Sequence, residues 1–162
     1  MLSVKAGAKI YERFEELCDG QIIPAAISRL SVEEIKAIGT STAKANYIKS
    51  AASAVLTGEL DFKKFPDMTD EAALKELVSL HGIGTWTAKI YLIFVLDRQD
   101  ILPVEDVAFL QSYKWLYKTE DVSKASIEKK CKKWKPYSSI VARFLYGALD
   151  MGFTKEEFHL FK

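Results

Sequence analysis

Cysteine is scarce in this 162-residue chain: Cys18 and Cys131 lie far apart, without C-x-x-C spacing or a neighbouring histidine. That argues against a zinc site, an iron–sulfur cluster or a disulfide framework, and it fits a reducing compartment. Long apolar runs are also missing. The longest, Ile90–Leu96, is far short of the ~20 residues a membrane span needs, and the opening MLSVKAGAKIYERF has no apolar signal-peptide core. A soluble, cytoplasmic protein without a membrane partner is expected. Charge of one sign is not in excess, with 23 Lys and Arg against 22 Asp and Glu, so any polyanion must be met by a local patch. Strand alternation, internal repeats and low-complexity linkers are absent. What is present is 49% hydrophobic residues in one domain's length of chain, enough for a core without staples.

The apolar residues recur at helical spacing almost throughout. Ala6, Ile10, Phe14 and Leu17 lie on one face of a helix over 3–17. Ser31-Val-Glu-Glu34 is a capping box opening a short helix that Gly39 closes. Ser41 or Thr42 starts a longer helix to Gly58, and a short segment over 61–65 is stopped by Pro66. Thr69 caps a helix carrying Leu74, Leu77 and Val78. A helix over 85–96 is apolar nearly all round and is expected to be central and buried. Helices are also expected from Asp106 onward, over 123–133 and over 136–150, with Pro136 in the last one's first turn. A tail with its own capping box runs from Thr154 to Glu157. The class is all-α: one domain over 1–162, its helices wrapped in two lobes around a central buried helix.

Within "LVSLHGIGTWTAKIYLIFVL", residues 77–96, the pair Gly82 and Gly84 falls between two helical patterns. A dinucleotide fingerprint needs a preceding strand and a third glycine, and Thr87 stands at the third place. A Walker loop is absent, so a nucleotide cofactor is not expected. Two readings remain. In one, the segment is a plain turn between helices with Ile83 plugging the core. In the other, both glycines supply conformations closed to other residues, and free N–H groups at the second helix's start receive a phosphate. Twenty residues beyond Trp86, in Leu102-Pro103-Val104-Glu105-Asp106-Val107, Asp106 is placed as a helix N-cap. An aspartate in such a place is most often only a cap, and Glu105 is a competing carboxylate.

Taken together, G-I-G-T-W-T-A over 82–88, the proline turn with Asp106, and Trp134-Lys-Pro-Tyr-Ser-Ser139 resemble the helix-hairpin-helix-GPD superfamily of DNA glycosylases. The nearest likeness is to the bacterial 3-methyladenine DNA glycosylase II group. Residues 30–62 resemble that family's second lobe, so the likeness covers nearly the whole chain. It implies a helix-hairpin-helix over about 70–96 and a monofunctional glycosylase acting on double-stranded DNA in base excision repair. Such an enzyme flips an alkylated purine out of the stack and hydrolyses its N-glycosidic bond. Asp106 matches the catalytic aspartate. Its carboxylate would stabilise positive charge on the sugar and orient water, and a helix N-terminus favours the ionised form. Trp86 stands where strand-cleaving relatives carry a Schiff-base lysine, which implies water-mediated base removal without lyase activity.

The resemblance also implies a base pocket of Trp86, Tyr146 and Ile90, where aromatic faces attract cationic alkylated bases. Tyr146 replaces the family's usual tryptophan, and Ile90 stands where the nearest pattern has a tyrosine. DNA contacts fall on His81, Gly82, Ile83, Gly84, Thr85 and Lys89, with Met1 at the wedge that fills the hole left by the flipped base. Backbone carbonyls of Val78, Leu80 and Ile83 would hold a monovalent cation, sodium or potassium; no other cofactor is implied. Lysines over 124–135 either add phosphate contacts or form a solvated face. The family usually has a further stretch before the point at which this chain begins, so a longer protein or a form missing part of the wedge is expected. Three readings stay open. They are an alkylated-base glycosylase, a weakly active or inactive DNA-binding relative, and a glycosylase for a deaminated, mismatched or oxidised base. A monomer is expected, in the cytoplasm and nucleoid of a prokaryote or in a eukaryotic nucleus.

Overall fold

Residues 4–159 are described by the computed structural model, and among them regular structure is helical, with no strand. Among the described residues nine α-helices run in order: α1 Val4–Leu17, α2 Pro24–Arg29, α3 Val32–Ala37, α4 Thr42–Thr57, α5 Asp70–Ser79, α6 Thr85–Phe94, α7 Val107–Tyr117, α8 Lys124–Cys131 and α9 Ser138–Asp150. The chain divides into two compact units. One comprises residues up to Asp67 together with Glu76–Ile83; the other comprises Met68–Lys75 and the chain from Gly84 onward. Among the described residues no helix is long and apolar enough to cross a membrane.

Several helix boundaries follow from capping chemistry within four residues. At α3 the Glu34 N–H donates to Ser31 Oγ while the Glu34 carboxylate accepts from the Ser31 N–H, forming the expected box. Ser41 caps α4 through the Lys44 N–H, and Gly58 ends it in the left-handed conformation. Thr69 Oγ1 accepts from the Ala72 N–H at the head of α5. In the first unit, α2 and α3 pack on α4. Ala45 and Ala52 give α4 a small-residue face that buries Ile27, Ile35 and Cys18 beside it. The second unit is built on α7 and α9, with Phe109, Tyr113, Ile127, Cys131, Ala142 and Leu145 in its core.

Several expectations are corrected. Helix α2 had no periodic signal, being only six residues long, and Pro24 opens it at a place where no N–H is needed. Pro66 does not stop the segment before it but lies inside a 3-10 turn, Phe62–Asp67. Helix α6 ends at Phe94, and only one face is buried (Ala88, Leu92, Ile93), while Trp86 and Phe94 at its two ends are half exposed. Pro136 precedes α9 rather than joining its first turn, since helical residues begin only at Ser138. The capping box from Thr154 to Glu157 does not form. The Glu157 carboxylate is bonded to Lys118 instead, and the Glu156 carbonyl accepts from the Trp115 indole N–H.

Candidate active site

Asp106 is the N-cap of α7. Its Oδ1 accepts from the Phe109 N–H at 2.8 Å, and the residue is only 7% exposed. The cap role of this carboxylate leaves its other oxygen, and that oxygen accepts from the indole N–H of Trp86 in the first turn of α6. Two donors on two different oxygens hold the carboxylate in one orientation. Trp86 keeps about half its surface open, being 51% exposed. Tyr146, on α9, places its buried hydroxyl next to the same carboxylate and interacts with it. Burial first, and then the charge of Asp106, pushes that phenol's pKa far above the ordinary tyrosine range. One buried acceptor, one half-open indole and one buried hydroxyl therefore meet within the second unit.

The loop leading to Asp106 is tied down by the Trp134–Ser139 segment, whose physical role only the contacts reveal. Ser139 Oγ accepts from the Ile101 N–H at 2.9 Å, and the Ser139 N–H donates to the Gln99 carbonyl at 2.9 Å. The Asp100 carboxylate accepts from Ser138 Oγ at 2.5 Å and pairs with Lys135 at 3.0 Å. Burial works against that charge, but the Ser138 and Lys135 hydrogen bonds outweigh it and hold the Asp100 carboxyl below its ordinary value. The head of α9 thus clamps residues 99–101 and, through buried Pro103 and Val104, the segment that presents Asp106.

The glycine pair separates into two different roles. Gly82 has φ +90°, and a Cβ there would stand 2.1 Å from Tyr47 Cγ. Tyr47 also meets His81 edge to face, centroids 5.1 Å apart. Gly84 has ordinary extended angles, φ −85° and ψ 168°, and nothing lies within 4 Å of a Cβ built there. The expectation that both glycines need special conformations therefore fails for Gly84. Gly84 is instead the N-cap of α6 and has no side chain to cap the first turn, so N–H groups there have no intrahelical partner. Thr85 and His81 are exposed, and Ile83 and Ile90 are half-buried. Among the described backbone, the Val78 and Ile83 carbonyls accept no hydrogen bond outside helices, while that of Leu80 accepts the Ile83 N–H.

Lys89 is not free: its ammonium pairs with Glu105 at 2.8 Å and donates to the Leu102 carbonyl at 3.0 Å. That same pair occupies Glu105, the competing carboxylate. The lysine run is also partly committed, with Lys130 and Lys133 over the Tyr117 ring and Lys124 near Glu128. Met1 lies outside the described residues. A cavity of about 510 Å³ opens in the second unit between Asp70, Asp100, Lys132 and Lys135, but neither Asp106, Trp86 nor Tyr146 lines it. Among the described residues no three His, Cys, Asp or Glu side chains gather as a metal site.

An all-helical fold, a hairpin turned on Gly82 and an aspartate capping the helix after a proline turn define a class of DNA-repair fold. The chain belongs to the HhH-GPD superfamily of base excision DNA repair proteins, which it matches over residues 2–136. Its fold is similar to that of the DNA-3-methyladenine glycosidase of Bacillus halodurans, with 33% identity and a TM-score of 0.82 over 97% of this chain and 73% of that one. The 3-methyladenine DNA glycosylase of Schizosaccharomyces pombe, solved in complex with abasic DNA, is similar at 28% identity and a TM-score of 0.84, covering 93% of this chain and 75% of that one. DNA-3-methyladenine glycosylase 1 of the same yeast is 29% identical over 90% of this chain and 65% of its own length. The chain spans 41% to 65% of the length of the curated relatives it matches.

Proposed function

We propose that this chain is the catalytic core of a monofunctional DNA glycosylase that removes alkylated purines, 3-methyladenine among them, from double-stranded DNA. The observation that carries the reading is the buried Asp106 carboxylate held by the Phe109 and Trp86 N–H groups. Positive charge developing on the sugar is stabilised by an oriented, desolvated anion without reorganisation at the moment of reaction. The same carboxylate takes the proton of the attacking water. Trp86 offers no amine, so no Schiff base forms and the strand stays intact. Its open indole face and the Tyr146 and Ile90 side chains receive the everted base, and aromatic faces favour a cationic one.

DNA enters through the hairpin. The uncapped N-terminus of α6 at Gly84 and Thr85 receives a phosphate, and His81, Gly82 and Ile83 are further DNA contacts. The Val78, Leu80 and Ile83 carbonyls would hold a sodium or potassium ion, and no other cofactor is proposed. The protein acts as a monomer in the compartment that holds the DNA, the cytoplasm in a prokaryote. Incubation with methylated duplex DNA is expected to release free methylpurine and leave alkali-labile abasic sites. Binding without release would overturn the catalytic reading, and release only from deaminated or oxidised sites would overturn the substrate.

Gly84 supplies an independent check of the phosphate site. Because a side chain at 84 meets empty space in the protein, Gly84→Val is expected to fold with the wild-type thermal midpoint. It should nonetheless weaken binding to undamaged and abasic duplexes alike, by roughly tenfold for the loss of one charge-assisted contact. Unchanged affinity in a binding titration would remove the phosphate from α6.

A further inference from the structure

Lys89 stands three residues after Trp86, so the two side chains share one face of α6. From that face Trp86 holds the Asp106 carboxylate, and Lys89 reaches the backbone turn that carries the same aspartate. Its ammonium donates to the Leu102 carbonyl at 3.0 Å and to both Glu105 carboxylate oxygens, at 3.0 and 2.8 Å. An ammonium has three donors. All three are engaged, so none is left for a DNA phosphate. The Lys89 side chain is also only 14% exposed, against 40% to 68% for the other lysines in ion pairs among the described residues. The groups it grips lie at the two ends of one turn. Inside that turn the Val104 N–H donates to the Leu102 carbonyl and the Asp106 N–H to the Pro103 carbonyl, each at 3.0 Å.

We propose that Lys89 is a positioning residue that straps the 102–105 turn to α6. One helix face then sets both the backbone place of Asp106 and, through Trp86, the orientation of its carboxylate. The inference rests on the glycosylase reading above. A group that acts on a developing charge must be held by rigid elements, because a misplacement of about 1 Å costs roughly 10²-fold in rate. The head of α9 already fixes residues 99–101; Lys89 fixes the remainder of the approach to Asp106. The Leu102 carbonyl is the essential contact, since it belongs to the backbone of the turn. Glu105 supplies the counter-charge, and in Glu105→Gln an amide oxygen still accepts from the ammonium.

Lys89→Met keeps an unbranched stem and removes all three donors. It should fold, because the Leu102 carbonyl keeps the Val104 N–H and the Glu105 carboxylate is open to water. Single-turnover release from a duplex oligonucleotide bearing one 7-methylguanine, with enzyme saturating, is expected to fall roughly 10- to 100-fold. The dissociation constant for an abasic duplex should stay within about twofold of wild type, the spread of non-interacting sites. Lys89→Arg restores a cation with several donors and should recover most of the lost rate. A lysine that contacts phosphate would instead weaken abasic binding and leave the saturated rate intact, which overturns the proposal. So does a lower thermal midpoint with an unchanged saturated rate, the mark of a merely structural lysine. In both cases wild type still releases the base and the glycosylase reading stands. Wild type that releases no methylpurine overturns that reading, and the positioning role with it.

Discussion

Asp106→Asn is expected to reduce base release from methylated duplex DNA by roughly 10²- to 10⁴-fold, the range for loss of an oriented general base. The substitution is informative because it separates chemistry from folding. Asparagine caps helices about as well as aspartate, so the amide oxygen can keep the Phe109 N–H that Asp106 holds at 2.8 Å. An amide has only one oxygen, however, and its NH2 would then face the Trp86 indole N–H that now meets the second carboxylate oxygen. One hydrogen bond is lost, about 1 kcal/mol, which should lower the thermal midpoint by roughly 2–4 °C. A near-complete loss of release with so small a loss of stability is the expected pattern. Glu105→Gln is the matching control, since Glu105 is exposed and held outward by Lys89; its activity should stay near wild type. Full activity in Asp106→Asn would remove Asp106 from the chemistry.

A larger effect on stability is expected at the hairpin. At Gly82→Ala two costs add. A residue with a Cβ must adopt φ +90°, worth about 1–3 kcal/mol of backbone strain. The new Cβ would also stand 2.1 Å from Tyr47 Cγ and 2.6 Å from its Cβ. Those atoms lie near the Tyr47 backbone, so the ring must leave its rotamer rather than bend at its tip, for about another 1–3 kcal/mol. The sum, roughly 2–6 kcal/mol, corresponds to a fall of roughly 5–20 °C in midpoint. Thermal unfolding followed by circular dichroism reads it directly. Tyr47→Ala should recover the steric part in the double variant but not the strain. A Gly82→Ala protein as stable as wild type would mean the turn has another conformation.

Much of this architecture was legible because its causes are local. The Ser31–Glu34 box, the Ser41 and Thr69 caps, the left-handed Gly58 and the Asp106 cap each act within four residues. The same reasoning failed where a distant partner competed. Thr154 to Glu157 reads as a capping box, but Lys118, 39 residues away, takes the Glu157 carboxylate. The Pro136 reading failed as well, since α9 begins only at Ser138, whose side chain bonds to distant Asp100. Local pattern likewise treated Gly82 and Gly84 alike, since nothing near them in sequence announces the Tyr47 ring.

By itself, then, the sequence determined an all-helical chain, the hairpin between α5 and α6, and an aspartate at the head of α7, because periodicity and capping are written in neighbouring residues. Only the tertiary structure decided which glycine is obligatory and that Lys89 is spent on Glu105. It also decided that Trp134–Ser139 anchors the loop before Asp106, and that Trp86 and Tyr146 converge on its carboxylate. Those facts depend on which surfaces pack against each other across tens of residues. Hydrogen bonds and steric overlaps of that range have no period or spacing to betray them.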